Sequence, residues 1–108
     1  MRKQVDKPEN IYQSQVEKAV KRGDLVSINH RVSGLVASYF DILFAFNRVP
    51  HPGEKRLVEQ AQRLCPRLPD HLATQLETVL RCAGDTDPRL VVEIDCLVDD
   101  LEALLDSE

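Results

Sequence analysis

The residues best suited to chemistry lie in one short segment, Asn47 to Arg56, which directly follows the longest apolar stretch of the chain. A turn rich in proline and glycine separates Arg48 from Lys55. A lysine near the start of a helix is electrostatically disfavoured unless an anion lies nearby, because that helix end carries partial positive charge. The backbone amides there, together with Arg48 and Lys55, are therefore suited to bind a phosphate or a carboxylate. The alternative is that these residues are ordinary surface cations at a turn.

A second polar motif, Asp85-Thr86-Asp87, contains two carboxylates spaced as in sites that hold divalent ions for nucleotide transfer. It lies between two predicted helices and is followed by Pro88, a residue favoured at the first position of a helix. Because Asp is a good helix cap, capping explains this motif better than metal binding.

Two isolated residues also have competing explanations. Asp41 interrupts the apolar stretch, and we expect it on the solvent-exposed edge of its helix. If it were buried it would need a cationic partner, for which the candidates are Arg31, Arg48 and Lys55. His51 lies between two prolines, and this position favours a turn residue over a general base.

Cysteines and histidines are scattered along the chain without the spacing of a metal site; they are Cys65, Cys82, Cys96, His30, His51 and His71. The cysteines are therefore expected to be buried, reduced thiols. We expect no metal and no cofactor in this chain.

Apolar residues recur at helical spacing in five segments, which predicts an all-α fold: a single bundle of about five helices around a long central helix. The predicted helices are residues 10–22, 25–46 with Asp24 as cap, 54–64, about 70–82, and a last helix beginning at Asp87-Pro88. The apolar positions at helical spacing in the third and fourth are Leu57, Val58, Ala61, Leu64, Leu72, Leu76, Val79 and Leu80. Residues 1–9 are expected to be a flexible lead-in, and residues 10–108 the bundle domain.

Charge is divided unevenly along the 108 residues, whose net charge is −4. Residues 85–108 contain nine acids against Arg89, so the rest of the chain is net positive. An acidic last helix argues against nonspecific nucleic-acid binding and is expected to present a solvated face. No apolar run is long enough for a membrane span and the first residues do not resemble a secretion signal, so we expect a soluble, cytoplasmic protein.

Three stretches of the chain resemble a known family. FDILFAFNR at residues 40–48 and HPGEKRL at 51–57, preceded by VEKAVKRGD at 16–24, are similar to elements of the C-terminal all-helical domain of nucleotidyltransferase-like proteins. These proteins are relatives of the aminoglycoside nucleotidyltransferases and of an uncharacterised family with the same architecture. The resemblance covers residues 12–60.

The resemblance implies that an N-terminal or separate α/β nucleotidyltransferase domain supplies the catalytic carboxylates, magnesium and nucleotide. This chain would be the helical domain that helps to position the substrate or nucleotide, without catalysis of its own. By position in the family element, Asn47 and Lys55 are candidate substrate- or phosphate-binding residues, and Arg48 and Glu54 are candidates by extension.

Two hypotheses follow. If the chain is such an accessory domain, Asn47→Ala and Lys55→Ala are expected to remove anion binding with little change in stability. If it is a helical protein-interaction or oligomerisation module, the Asn47–Arg56 turn is structural, and association through helix faces or docking of a partner on the acidic last helix is expected.

Overall fold

The fold is an all-α bundle. The computed structural model describes residues 8–107, which form α1 (Pro8–Arg22), α2 (Leu25–Phe46), α3 (Leu57–Leu64), α4 (Leu72–Gly84) and α5 (Leu90–Asp106). Within these residues there is no strand. The predicted fold class is therefore confirmed. None of the five helices combines the length and apolar character needed to cross a membrane.

The long helix α2 forms the centre of the bundle. It packs against α1, α4 and α5, while α5 also packs on α1 and α4. Its apolar residues advance by three or four positions, so one wide face can be buried against several neighbours. The largest fully buried side chains are Tyr39, Phe40, Phe44, Ile28, Leu35, Leu43, Leu90, Ile94, Leu97 and Leu101, with Val16 and Val32 beside them.

The turn between α1 and α2 shows how local sequence fixes the course of the chain. The Gly23 N–H donates to the Val20 carbonyl at 3.0 Å and the Asp24 N–H donates to the Ala19 carbonyl at 3.1 Å, while Gly23 has φ +65°. This is a Schellman ending, for which glycine is favoured at the left-handed position. Asp24 then caps α2, since its Oδ1 accepts from the Ser27 N–H at 3.2 Å, and hydrogen bonding from Ser27 lowers the pKa of Asp24.

The same hydrogen-bond pattern ends α2 and α4, but without glycine. The Val49 N–H donates to the Phe44 carbonyl around Arg48 at φ +57°, and the Asp87 N–H donates to the Cys82 carbonyl around Thr86 at φ +54°. Residues other than glycine are strained in this left-handed region, and a β-branched residue such as threonine is strained more than most.

Four helix starts differ from prediction. The first helix begins at Pro8, two residues earlier than expected, and the remainder of the predicted lead-in lies outside the described residues. The third and fourth begin later, at Leu57 and Leu72, because the left-handed residues immediately before them cannot belong to a regular helix. The fifth begins at Leu90, after a turn that contains Pro88.

Candidate functional site

The side chain of Asn47 is fully engaged within the fold. Its Nδ2 donates to the Leu43 carbonyl and to the Arg67 carbonyl, each at 2.9 Å, and its Oδ1 accepts from the Arg67 N–H at 2.9 Å. Asn47 thereby ties the connection between α3 and α4 to the end of α2. Asn47→Ala would remove these three hydrogen bonds, so the structure favours a loss of stability over the small change expected from the sequence.

The connection between α3 and α4 is also anchored by the side chain of Arg67. The Arg67 guanidinium lies 5.4 Å from the centroid of the Phe46 ring and donates to the Ser107 hydroxyl at 2.7 Å. One arginine therefore contacts the end of α2 and the end of α5. The side chain and backbone of Arg67 act together with Asn47 to fix this edge of the bundle.

The other three candidate ligand-binding residues are exposed. Arg48 follows α2, while Glu54 and Lys55 lie in the turn before α3. No hydrogen bond or ion pair among the described residues joins these three side chains to one another. Arg56 directly precedes α3, and no side chain caps that helix, so its first backbone amides have no capping acceptor.

His51 holds the proline-rich loop against α2. Its Nδ1 accepts from the Gly53 N–H at 3.0 Å, and its ring lies 5.2 Å from the Phe44 ring. Its Nε2 is 3.9 Å from Oδ1 of Asp41, whose side chain is 73% exposed. The predicted position of Asp41 on the solvent-exposed edge of α2 is confirmed, and His51 has the contacts of a turn residue.

The Asp85-Thr86-Asp87 motif shapes a turn. Oδ2 of Asp87 accepts from the Arg89 guanidinium at 2.7 Å and its Oδ1 accepts from the Arg89 N–H at 2.9 Å, and these two hydrogen bonds lower the pKa of Asp87. Asp87 therefore shapes the turn before α5 through Arg89 and does not cap the helix as predicted, because Arg89 is the residue before Leu90 and no side chain caps α5. Within residues 8–107 no group of three or more histidine, cysteine or acidic side chains is arranged to hold a metal ion.

The cysteines differ in exposure. Cys65 and Cys82 are buried, as predicted, and burial raises the pKa of both thiols. Cys96 is exposed, so the prediction of a buried thiol is wrong there. All three are free thiols. The acidic surface of α5 around Cys96 includes Asp99, whose pKa is raised by partial burial and then by nearby Asp95.

An apolar groove lies between α2, α3 and α4, and sequence reasoning did not identify it. Two adjoining cavities of about 560 and 390 Å³ share Val58, Leu76 and Leu80 as lining residues. The α2 and α3 sides add Ser33, Val36, Ala37, Phe40, Glu54, Leu57 and Glu59, and the α4 side adds Ala73, Glu77 and Arg81. We call this set of residues the groove.

The most informative groove residue is Leu80, which is 49% exposed although it belongs to the predicted apolar positions of its helix. On α4 the buried residues Leu72, Leu76, Val79 and Ala83 form the inward stripe, and Leu80 lies at the edge of that stripe. The wall beside it is thin, because α3 is only eight residues long and Ala61 is its one fully buried residue. The signal available in the sequence was the width of the apolar face on α4; the late start of α3 depends on left-handed Arg56, which no glycine marks.

Comparison with known proteins gives no relative: the chain matches no protein-family model, no curated protein and no solved structure at a significant level.

Proposed function

We propose that this bundle is a protein-interaction module whose groove binds an apolar helical segment of a partner. The observation that carries the proposal is the half-exposed Leu80 in a groove whose other apolar lining residues include Val36, Phe40, Val58 and Leu76. Helix-in-groove recognition uses this kind of surface, with anchors on one face of the bound helix.

The dimensions of the groove suit about two turns of helix. Its lining residues run from Ser33 to Phe40 on α2 and from Ala73 to Arg81 on α4. At 1.5 Å per residue these segments are roughly 10–12 Å long. Ser33, Ala37 and Ala73 are small, so the backbone of a bound helix can approach the walls closely.

The test is titration of the isotope-labelled chain with a designed amphipathic peptide of leucine anchors and glutamine flanks. We expect amide NMR shifts to concentrate at Ala37, Val58 and Leu80. Burying the exposed half of a leucine contributes about 1 kcal/mol, and a glutamine there adds a desolvation cost, so Leu80→Gln should weaken binding about tenfold.

The matched control is Val92→Gln, which replaces another exposed apolar residue, 60% exposed on α5 and outside the groove. This variant should bind the peptide like the unmodified chain. Equal weakening by Val92→Gln and Leu80→Gln, or shifts scattered over the whole surface, would contradict the proposal.

A second candidate function is the substrate- or nucleotide-positioning role that the family resemblance implies. It is supported by the exposure of Lys55 and Arg56 immediately before the uncapped start of α3. Calorimetric titration with ATP tests it. Lys55→Ala and Arg56→Ala should abolish heat of binding, while Lys21→Ala, an exposed cation at the end of α1, should not. An absence of heat from the unmodified chain would remove this candidate.

A further inference from the structure

The charges at the groove are predominantly acidic. Glu54, Glu59 and Glu77 all line it and are exposed, and the only cation among its lining residues is Arg81. Lys55 and Arg56 follow Glu54 in the chain, but neither of them lines the groove.

The single cation is already engaged. The Arg81 guanidinium donates to Oε2 of Glu77 through Nε at 3.0 Å and also through Nη2. The charges of Arg81 and Glu77 therefore cancel. Glu54 and Glu59, on the α3 side, give the groove its net negative charge.

We propose that the occupant of the groove is an amphipathic helix of a partner protein, with aliphatic anchors flanked by lysine or arginine. This rests on the proposed interaction function and adds the chemistry of the partner. The aliphatic face would cover Leu80 and Val58, while the flanking cations would lie beside Glu54 and Glu59. Complementary charge of this kind sets specificity and association rate more than total affinity.

The test uses three peptides that share one leucine face and differ in having lysine, glutamine or glutamate flanks. Comparing their affinities separates the contribution of charge from that of the apolar face. We expect the lysine peptide to bind about fivefold more tightly than the glutamine peptide at low ionic strength, and the glutamate peptide to bind most weakly. Raising the salt concentration to 0.5 M should reduce the difference, because exposed charges are screened.

The double variant Glu54→Gln/Glu59→Gln should lose the preference for lysine flanks while binding the glutamine peptide as before. Glu17→Gln, an exposed acid on α1, is the matched control and should keep the preference. Circular dichroism melting confirms that each variant is folded.

The outcomes distinguish the two proposals. Equal binding of the three peptides would overturn the basic-partner inference and leave the groove function standing. Binding of none of them would overturn both. If sedimentation shows that the chain dimerises, and Leu80→Gln abolishes the dimer, the occupant is a second copy and the basic-helix inference is wrong.

Discussion

Replacement of Asn47 by alanine is the sharpest test of how this edge of the bundle is held. The change removes two hydrogen bonds donated by Nδ2 and one accepted by Oδ1, and two of the three join α2 to Arg67. A hydrogen bond within a protein contributes about 0.5–1.5 kcal/mol net. The two bonds to Arg67 are exposed and count near the lower end, so we expect a loss of about 2 kcal/mol in the free energy of unfolding.

The assay is equilibrium unfolding in urea followed by circular dichroism. A loss of this size should lower the midpoint by roughly 1 M, given the slopes typical of small domains. Asn47→Asp should cost about as much as alanine. Its carboxylate cannot donate to the Leu43 and Arg67 carbonyls, and it places negative charge at the end of α2.

Asn29 provides a matched control on the same helix. Its Nδ2 donates to the Leu25 carbonyl at 2.9 Å, and its contact with the Ala83 carbonyl is long, at 3.5 Å. Asn29→Ala should therefore cost less than about 1 kcal/mol. A cost for Asn47→Ala within about 0.5 kcal/mol of zero would refute the structural role, and would return Asn47 to the list of candidate ligand-binding residues.

Three further predictions concern strain, burial and reactivity. Thr86→Gly should stabilise the chain by about 1 kcal/mol in urea unfolding, because glycine adopts the left-handed backbone without strain. Tyr39→Phe should be neutral or stabilising by up to about 1 kcal/mol at pH 7, since the buried Tyr39 hydroxyl has no hydrogen-bond partner among the described residues. A maleimide should modify Cys96 in the native protein, but Cys65 and Cys82 only after unfolding, as mass spectrometry of peptides would show.

Each of these has its own control. Gly23→Ala at the end of α1 is the reverse of Thr86→Gly and should destabilise by a similar amount; no atom lies within 4 Å of the added Cβ, so strain alone would act. If both changes moved stability in the same direction, the strain argument would fail. A loss above 1 kcal/mol in Tyr39→Phe would mean that the hydroxyl has a partner, and rapid labelling of Cys65 in native protein would contradict its burial.

Tyr39 also gives a pH dependence. Burial, and then the charge of Asp100, raise the pKa of Tyr39 above its usual value near 10. Above pH 10 the unfolded chain therefore releases a proton that the folded chain retains, and the free energy of unfolding falls by up to about 1.4 kcal/mol per pH unit. The stabilising effect of Tyr39→Phe should consequently grow between pH 10 and 11. A difference that does not change with pH would contradict this reasoning.

The fold was predictable from sequence because its signals are local. The spacing of apolar residues in α2, the glycine after Arg22 and the cap Asp24 act within a few residues of one another, and each was interpreted correctly. Helix starts at Leu57 and Leu72 were misplaced, since they depend on left-handed residues that the sequence does not mark with glycine.

The candidate site was less accessible because its geometry depends on contacts between distant segments. The structural role of Asn47 depends on hydrogen bonds to the backbone of Arg67, twenty positions away, and no local sequence pattern indicates that pairing. Leu80 fits a helical apolar stripe, yet it is exposed because α3 is too short to cover it. Sequence periodicity identifies which face of a helix is apolar, but the partner helix decides how much of that face is buried.

Asn47 lies outside the groove but is linked to two of its walls, α3 and α4. It anchors the residues that join α3 to α4, and Val58 on α3 and Leu80 on α4 line the groove. Asn47→Ala should therefore weaken peptide binding as well as stability, although Asn47 does not line the groove, whereas Lys55→Ala should change neither. If Asn47→Ala lowers stability but leaves peptide affinity unchanged, the walls of the groove are held in place by their own packing and not by this hydrogen-bonded anchor.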